Sequence, residues 1–365
     1  MPYADEELLP SVDPVQYLDA AGRLTELGKR EVPDDEVMQA GYAALVAARR
    51  LNDQAYALVR QGRLAVYPSS HGQEACQVAA AMALDDGDWL FPTYRDTAAV
   101  VARGVDPVEV FTLLKGDWHC GYDPRAHRVA PQTTPLATQL LHAVGVAHAA
   151  RLRGEPTVAM ALCGDGATSE GDFHEALNFA AVFHVPVVFF VQNNEYAISV
   201  PLARQTAAPS LAHKGIGYGV PGERVDGNDL AALLSVLRRA VAQARSGQGP
   251  QLIEAHTYRM QAHTNADDAT RYRQDDEVAG WVERDPLRRV QTYLQDHRLL
   301  DESLAAEIAG DAEDLATRIR EGLNADVQPD HRDLFDHVYA RRTPQLAEQE
   351  SVVADELART VEVAR

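Results

Sequence analysis

The stretch that most constrains this chain runs from Gly164-Asp165-Gly166 to Asn193-Asn194. Asp165 and Asn194 stand 29 residues apart, which leaves room for one helix and one further strand. Residues 156–163 are a short apolar run ending at a glycine, the pattern of a parallel strand buried on both faces. Ser169, Glu170 and Asp172 supply capping groups ahead of residues 173–180, whose apolar positions recur at helical spacing. Pro186 then opens a second run, 187–191, rich in β-branched and aromatic residues. A right-handed crossover sets the carboxyl ends of the two strands side by side, the edge where open α/β sheets bind ligands. Taken singly, Asp165 reads as a turn residue and Asn194 as a loop amide. Together, with glycine on both sides of the acid, they make a site for a hard divalent cation. A carboxylate and an amide oxygen are its ligands, and the bare backbone lets a diphosphate come close.

The rest of the chain suits a large α/β enzyme. Its 365 residues are material for two to three domains, or for one α/β domain with helical extensions. A hydrophobic share of 46% supplies a core. The net charge of −20 argues against nucleic acid as a partner, because neutralising phosphates takes a basic face. Its consequences are solubility or attraction to a basic protein. Cys76, Cys120 and Cys163 form no CxxC pair, so neither a disulfide framework nor a zinc site is indicated. The acidic N-terminus has no apolar run of the kind a secretory or mitochondrial signal needs. No segment reaches the roughly 18 apolar residues of a membrane helix. A cytoplasmic enzyme, away from membranes, is the expectation.

Periodicity predicts helices over 33–61, 72–84, 135–151 and 228–243 and strands over 89–91 and 251–257. Residues 1–32 read as polar and partly irregular, residues 260–277 as too charged for core, and the chain from 281 onward as mostly amphipathic helix. The domain reading is an N-terminal extension and helix (1–65), an α/β domain with a mainly parallel sheet flanked by helices (66–280), and a C-terminal helical extension (281–365). Residues 217–222 fit the dinucleotide pattern G-x-G-x-x-G, but that pattern needs a strand before it and a helix after. Here a proline lies inside it and residues 223–227 read as strand and turn, so a nicotinamide site is not indicated.

Five segments occur in a telling order: Tyr94-Arg95 and residues 133–139, 164–172, 192–199 and 258–273. The set resembles the alpha subunit of the thiamine diphosphate-dependent decarboxylating component of 2-oxo acid dehydrogenase complexes. Gly-Asp-Gly with a later Asn-Asn is shared by thiamine diphosphate enzymes at large. The run from His263-Thr264 through Asp267-Asp268 to Thr270-Arg271-Tyr272-Arg273 narrows the resemblance to this heterotetrameric group. It covers residues 72–273 and, more loosely, the C-terminal helices.

The resemblance implies a thiamine diphosphate-binding fold and a set of roles. Asp165, Asn194 and the backbone oxygen of Tyr196 would hold magnesium against the diphosphate, oxygen donors of the kind that ion prefers. Gly166 and Ala167 would offer backbone N–H groups to the diphosphate, with Tyr94 and Arg95 reaching it from the other side. Without the resemblance, Arg95 reads as a surface ion pair with Asp96. Thr134 and Leu136 would support the bent cofactor. His263 would stand in the catalytic loop as a hydrogen-bond donor or proton carrier. Thr133, Pro135, Thr138 and Gln139 match a potassium site of some relatives, though such residues also make ordinary turn and cap bonds. Gln192 stands among the cofactor-binding positions where some relatives carry arginine, and Thr264 where mitochondrial relatives carry a regulatory serine.

The activity implied is oxidative decarboxylation of a 2-oxo acid with transfer of the acyl group to a lipoyl group on a dihydrolipoyl acyltransferase. It needs a beta subunit in an α₂β₂ assembly, because the glutamate that activates the cofactor is supplied from there. Residues 197–199 and 225–229 look more like branched-chain enzymes (3-methyl-2-oxobutanoate type) than pyruvate dehydrogenase, with an acetoin-cleaving relative more distant. A reading of another class is a non-catalytic regulatory subunit that binds a nucleoside diphosphate. It would keep Gly164-Asp165-Gly166 but need neither His263 nor a beta partner.

Overall fold

In the computed structural model, which describes residues 8–116, 120–324 and 330–363, the strands are β1 (Trp89–Phe91), β2 (Ala159–Gly164), β3 (Val187–Asn193), β4 (Tyr196–Ala197), β5 (Val200–Pro201), β6 (Gly222–Asp226) and β7 (Gln251–His256). Five of them form one all-parallel sheet in the order β1-β2-β3-β7-β6, and β4 and β5 make a small antiparallel hairpin just beyond β3. The Gly171–Val182 helix links β2 to β3, as the run of 173–180 predicted. Successive residues of each strand bury on opposite faces. Ala159, Ala161, Cys163, Val187, Phe189 and Val191 pack toward the Thr138–Leu152 and Gly171–Val182 helices. Met160, Leu162, Val188, Phe190 and Ile253 face the Asp35–Arg60, Glu74–Met82 and Leu230–Gln243 helices. Burial of each large apolar side chain is worth about 1.5–3 kcal/mol, so the two faces together clamp the sheet.

Short bridges cover both edges. Val15 pairs with Val225 outside β6; on the other side Leu90 pairs with Val129 and Thr93 with Thr133. Unpaired edges invite association, and these segments occupy them. The Thr93–Thr133 bridge also lays residues 133–139 alongside Tyr94-Arg95.

The four expected helices begin two or three residues late, at Asp35, Glu74, Thr138 and Leu230, and two of these starts have a clear cause. The helix expected from 135 begins at Thr138, because Ala137 takes a left-handed φ of 66° that ends helical geometry there. The one expected from 72 begins at Glu74. Gly72 has φ 96°, and a Cβ on it would lie 2.3 Å from the Tyr258 carbonyl oxygen, so only glycine fits that crossing. Residues 217–222 run from a 3₁₀ turn (Ala212–Tyr218) straight into β6, with no strand before and no helix after.

Contacts divide the chain into two compact units, Met1–Arg320 and Glu321–Arg365. In the second, the Pro344–Val363 helix is tied to Asp336 through Arg342, which also pairs with Glu350. Residues 1–7 of the irregular N-terminal stretch, and 325–329 and 364–365 of the C-terminal helical stretch, lie outside the described residues. Among the described residues no helix is long and apolar enough to cross a membrane.

Asp229 ties the N-terminal segment to the sheet. Fully buried, it caps the Leu230–Gln243 helix by accepting from Ala231 N (3.1 Å) and Ala232 N (3.2 Å), and its other oxygen accepts from Tyr17 N (2.6 Å) and Leu18 N (2.7 Å). Asp229→Ala leaves these four N–H groups without an acceptor, and urea denaturation should show a loss of about 3 kcal/mol or more. A loss under about 1 kcal/mol, the size of a simple cap, would mean the N-terminal tether is idle.

Candidate active site

In-register pairing of β2 with β3 sets Gly164 opposite Gln192, so Asp165 and Asn194 emerge together at the carboxyl edge of the sheet. They line a cleft of about 250 Å³ that is also walled by Gln73, Tyr94, Arg95, Asp96, Leu136, Gly166, Ala167, Gln192, Tyr196, Ile198, Arg259 and His263. Thr133, Pro135 and Gln139 reach it too, whereas Thr134 is exposed and Thr138 turns to Asp172, 3.5 Å away; neither of these lines the cleft.

On one wall, Asp165 opens a 3₁₀ turn, Asp165–Ser169, and is 1% exposed. Burial pushes its carboxyl upward, and a hydrogen bond from Gln205 Nε2 (2.6 Å) and the charge of Arg259 oppose the rise. Gly166 passes under the hairpin so closely that a Cβ there would meet Ala197 Cβ at 2.8 Å. Asn194 donates its amide to Gln73 Oε1 (2.9 Å), and its own oxygen accepts only the Tyr196 N–H, at 3.3 Å. Glu195 and Ile198, on either side of Tyr196, both take left-handed φ (74° and 56°), rare for a β-branched residue such as Ile198.

The opposite wall carries two buried guanidinium groups. Arg95 is 5% exposed and makes no ion pair with Asp96; it donates to Ser69 O (2.7 Å) and His263 O (3.2 Å) and lies over the Tyr94 ring. Arg259, 1% exposed, donates to Ile198 O (2.7 Å) and Tyr272 Oη (3.0 Å), and its Nε is buried without a partner. Both place a donor 3.1 Å from His263 Nδ1. A ring nitrogen met by two guanidinium donors must accept, so the His263 proton sits on Nε2. Burial and then the charges of Arg95 and Arg259 bring the His263 pKa down to about 4.

The charged loop after β7 is ordered by its own polar groups. Asp267 accepts from the His263 N–H (2.8 Å) and from the Tyr272 hydroxyl, and Arg273 donates to the carbonyls of Arg259 and Met260. Tyr196, Tyr258 and Met260 pack beneath it. The Thr264 hydroxyl accepts from Ala266 N at 3.4 Å within the same turn. Gln139 donates to Leu162 O (2.7 Å) while its oxygen, also buried, has no partner.

Sequence reasoning missed Gln73, Asp96 as an acceptor, Gln205 and Arg259. Arg259 had a signal: it is a lone base directly after an apolar strand. Among the described residues, no three His, Cys, Asp or Glu side chains gather as a metal cluster.

The family model described as dehydrogenase E1 component matches residues 42–321. The 3-methyl-2-oxobutanoate dehydrogenase subunit alpha of Mycobacterium tuberculosis is 47% identical over 357 residues, 97% of each chain. The pyruvate dehydrogenase E1 component subunit alpha of Staphylococcus aureus (strain Mu50) is 38% identical over 339 residues, 92% of this chain and 91% of the relative. With the family matched across most of its length, and the parallel-sheet cleft at its centre, the chain belongs to the dehydrogenase E1 component family.

Proposed function

We propose that this chain is the alpha subunit of a branched-chain 2-oxo acid dehydrogenase that binds thiamine diphosphate through magnesium and works with a beta subunit. The observation that carries the reading is the polarity of the cleft. Asp165 and the Asn194 oxygen stand on one wall, and Arg95 and Arg259 stand on the other with no carboxylate partner. Buried cations without counter-ions are costly, and an anion between the walls relieves them. A diphosphate offers oxygens both to the guanidinium groups and to a magnesium ion on Asp165, Asn194 and the Tyr196 carbonyl. One carboxylate, one amide and one carbonyl leave places for two phosphate oxygens, as magnesium commonly binds. Gly166 keeps that floor low. The unpartnered Gln139 oxygen suits a monovalent cation, and with Thr133, Pro135 and Thr138 it is the proposed potassium position.

When bound, the cofactor supplies the electron sink for decarboxylation of the 2-oxo acid. The chain's own groups do the positioning. His263 presents a neutral Nε2–H, a donor suited to an oxygen of the substrate or of the diphosphate, and its Nδ1 is committed to the two arginines. Leu136 (44% exposed) and Ile198 (56%) leave apolar surface at the mouth, beside Val200 of the hairpin. That rim suits coverage by the beta subunit, which would bring the missing glutamate, and later entry of a lipoyl group on a dihydrolipoyl acyltransferase. The 47% identity to a subunit named for 3-methyl-2-oxobutanoate supports the branched acid. The 38% identity to a pyruvate enzyme subunit keeps pyruvate as the second reading. A cytoplasmic location goes with this proposal.

The test is decarboxylation by the chain co-purified with its beta subunit, given magnesium, thiamine diphosphate and an artificial electron acceptor. Turnover should need both chains and favour 3-methyl-2-oxobutanoate over pyruvate, and Asp165→Ala should abolish magnesium-dependent cofactor binding. A nucleoside diphosphate bound in preference to thiamine diphosphate would instead support a regulatory subunit.

The histidine state is tested by NMR. With an ordinary value of 6.5 and a folded value of about 4, the folded chain declines a proton that the unfolded chain takes up between those pH values. The His263 contribution to stability is therefore intact above pH 6.5 and falls as pH drops toward 4. The cofactor-free protein should show the Nε2–H tautomer at neutral pH, and Arg259→Met should move the midpoint upward. A midpoint already near 6.5 would mean that the two arginines do not control the ring.

A further inference from the structure

Gln73, Gln192 and Asp96 belong to the cleft, but the diphosphate reading gives them no task. They form one buried line with Asn194: exposures are 2% for Gln73, 2% for Gln192, 0% for Asp96 and 5% for Asn194. Asn194 Nδ2 donates to Gln73 Oε1 (2.9 Å), Gln73 Nε2 to Gln192 Oε1 (3.1 Å) and Gln192 Nε2 to Asp96 Oδ1 (2.7 Å). Asp96 Oδ2 accepts from the Thr93 backbone N–H and from the Thr93 hydroxyl, both at 2.7 Å. Every donor in the line points the same way.

That direction is set chiefly by the acid at its end. A carboxylate accepts and does not donate, so Gln192 must turn its NH₂ toward Asp96 and its oxygen toward Gln73. Gln73 must then give its NH₂ to Gln192 and its oxygen to Asn194. Asn194 in turn must give its NH₂ to Gln73, which turns its oxygen toward the Tyr196 N–H (3.3 Å) and leaves its second lone pair open to the cleft. Each amide alone could flip by 180° at little cost in shape. The acid at the far end and, more weakly, the Tyr196 N–H 3.3 Å from the Asn194 oxygen make the two orientations unequal, and burial denies water the chance to satisfy the wrong one.

We infer that Asp96 is a positioning residue for the metal site: through Gln192 and Gln73 it fixes the Asn194 amide so that oxygen, and not NH₂, is presented to the cation. This deepens the proposed function and rests on its assignment of Asn194 as a magnesium ligand. It also gives Gln192 a role that arginine, a donor with no acceptor, could not fill in this line.

Asp96→Asn changes one oxygen to NH₂ and should reverse the line as far as Gln73. The Thr93 N–H can only donate, so the new amide turns its oxygen to Thr93 and its NH₂ to Gln192. Gln192 and Gln73 flip in response, so Asn194 faces an NH₂ from Gln73 on one side and the Tyr196 N–H on the other, and its oxygen is no longer held toward the metal. Replacing Asn194 by aspartate removes the dependence, since both carboxylate oxygens accept.

The experiment uses the full chain co-purified with its beta subunit and follows thiamine diphosphate binding by calorimetry as magnesium is varied, with no turnover measured. Asp96→Asn should raise the half-saturating magnesium concentration about 10–100-fold, the usual cost of losing a group that orients a ligand. Asn194→Asp should recover much more in the Asp96→Asn background than it gains in the native one, a coupling that a merely structural role for Asp96 would not produce. An unchanged magnesium requirement in Asp96→Asn, or an equal effect of Asn194→Asp in both backgrounds, overturns the inference. If Asp96→Asn does not yield folded protein, Gln73→Leu carries the test. It removes the acceptor beside Asn194, and it should weaken magnesium and be rescued by Asn194→Asp; no weakening overturns the inference equally. A native complex that binds thiamine diphosphate without magnesium would fail the proposed function instead.

Discussion

The pairing of Gly164 with Gln192 across parallel β2 and β3 decides where the other groups of the cleft can stand. Strand side chains alternate between faces, so a slip of one residue would send Phe189 and Phe190 to the wrong faces and carry Asn194 away from Asp165. The burial that prevents the slip is itself the packing of the two helical layers. Core and site are therefore not separate achievements of this fold. The same alternation that sorts Val187, Phe189 and Val191 from Val188 and Phe190 delivers a carboxylate and an amide oxygen to one edge.

Around that edge the charges are arranged unevenly. Asp165 and Asp96 are buried acids whose partners are amides, a hydroxyl and backbone N–H groups, with no arginine bound directly to either. Arg95 and Arg259 are buried bases whose partners are carbonyls, a histidine and a phenol. Direct pairing of these acids with these bases would be electrostatically cheaper, and it would close the cleft. Held apart, the two sets leave a gap with opposite fields on its walls, suited to a cation on one side and a diphosphate on the other. His263 is buried within the positive wall, and burial first and then the two charges keep its ring neutral.

Much of this was legible in the sequence. The β2–helix–β3 unit, the direction of its strands and the convergence of Asp165 with Asn194 follow from local patterns: two apolar runs, a capped helix and glycines at the turn. The family resemblance then brought in Tyr94, Arg95, Leu136 and His263, all of which line the cleft. What could not be read was the support. Gln73 lies 119 residues from Gln192, and Gln192 lies 96 from Asp96. Glutamines carry no periodic signature, and nothing local distinguishes a buried amide from a solvated one. Thr134 and Thr138 belong to the same segment but do not line the cleft: Thr134 is exposed and Thr138 turns to Asp172.

Backbone strain is concentrated in the loops that border the cleft. Ala137, Glu195 and Ile198 all hold left-handed φ, and such positions cost of order 1–3 kcal/mol each unless neighbours enforce them. Enforcement is visible here. Leu202 N donates to Glu195 O at 2.9 Å, and Arg259 donates to Ile198 O at 2.7 Å. Arg259 also reaches the Tyr196 carbonyl, but only at 3.5 Å, which leaves that oxygen a free lone pair. One buried arginine thus pins the hairpin that carries the third oxygen donor, polarises His263, and has no carboxylate bound directly to it. An acidic partner for Arg259 would weaken the first two effects at once, because its donors would turn from the hairpin and the histidine toward the acid. The missing counter-ion is therefore part of how the hairpin is held, and filling the cleft with an anion satisfies the charge without disturbing those bonds.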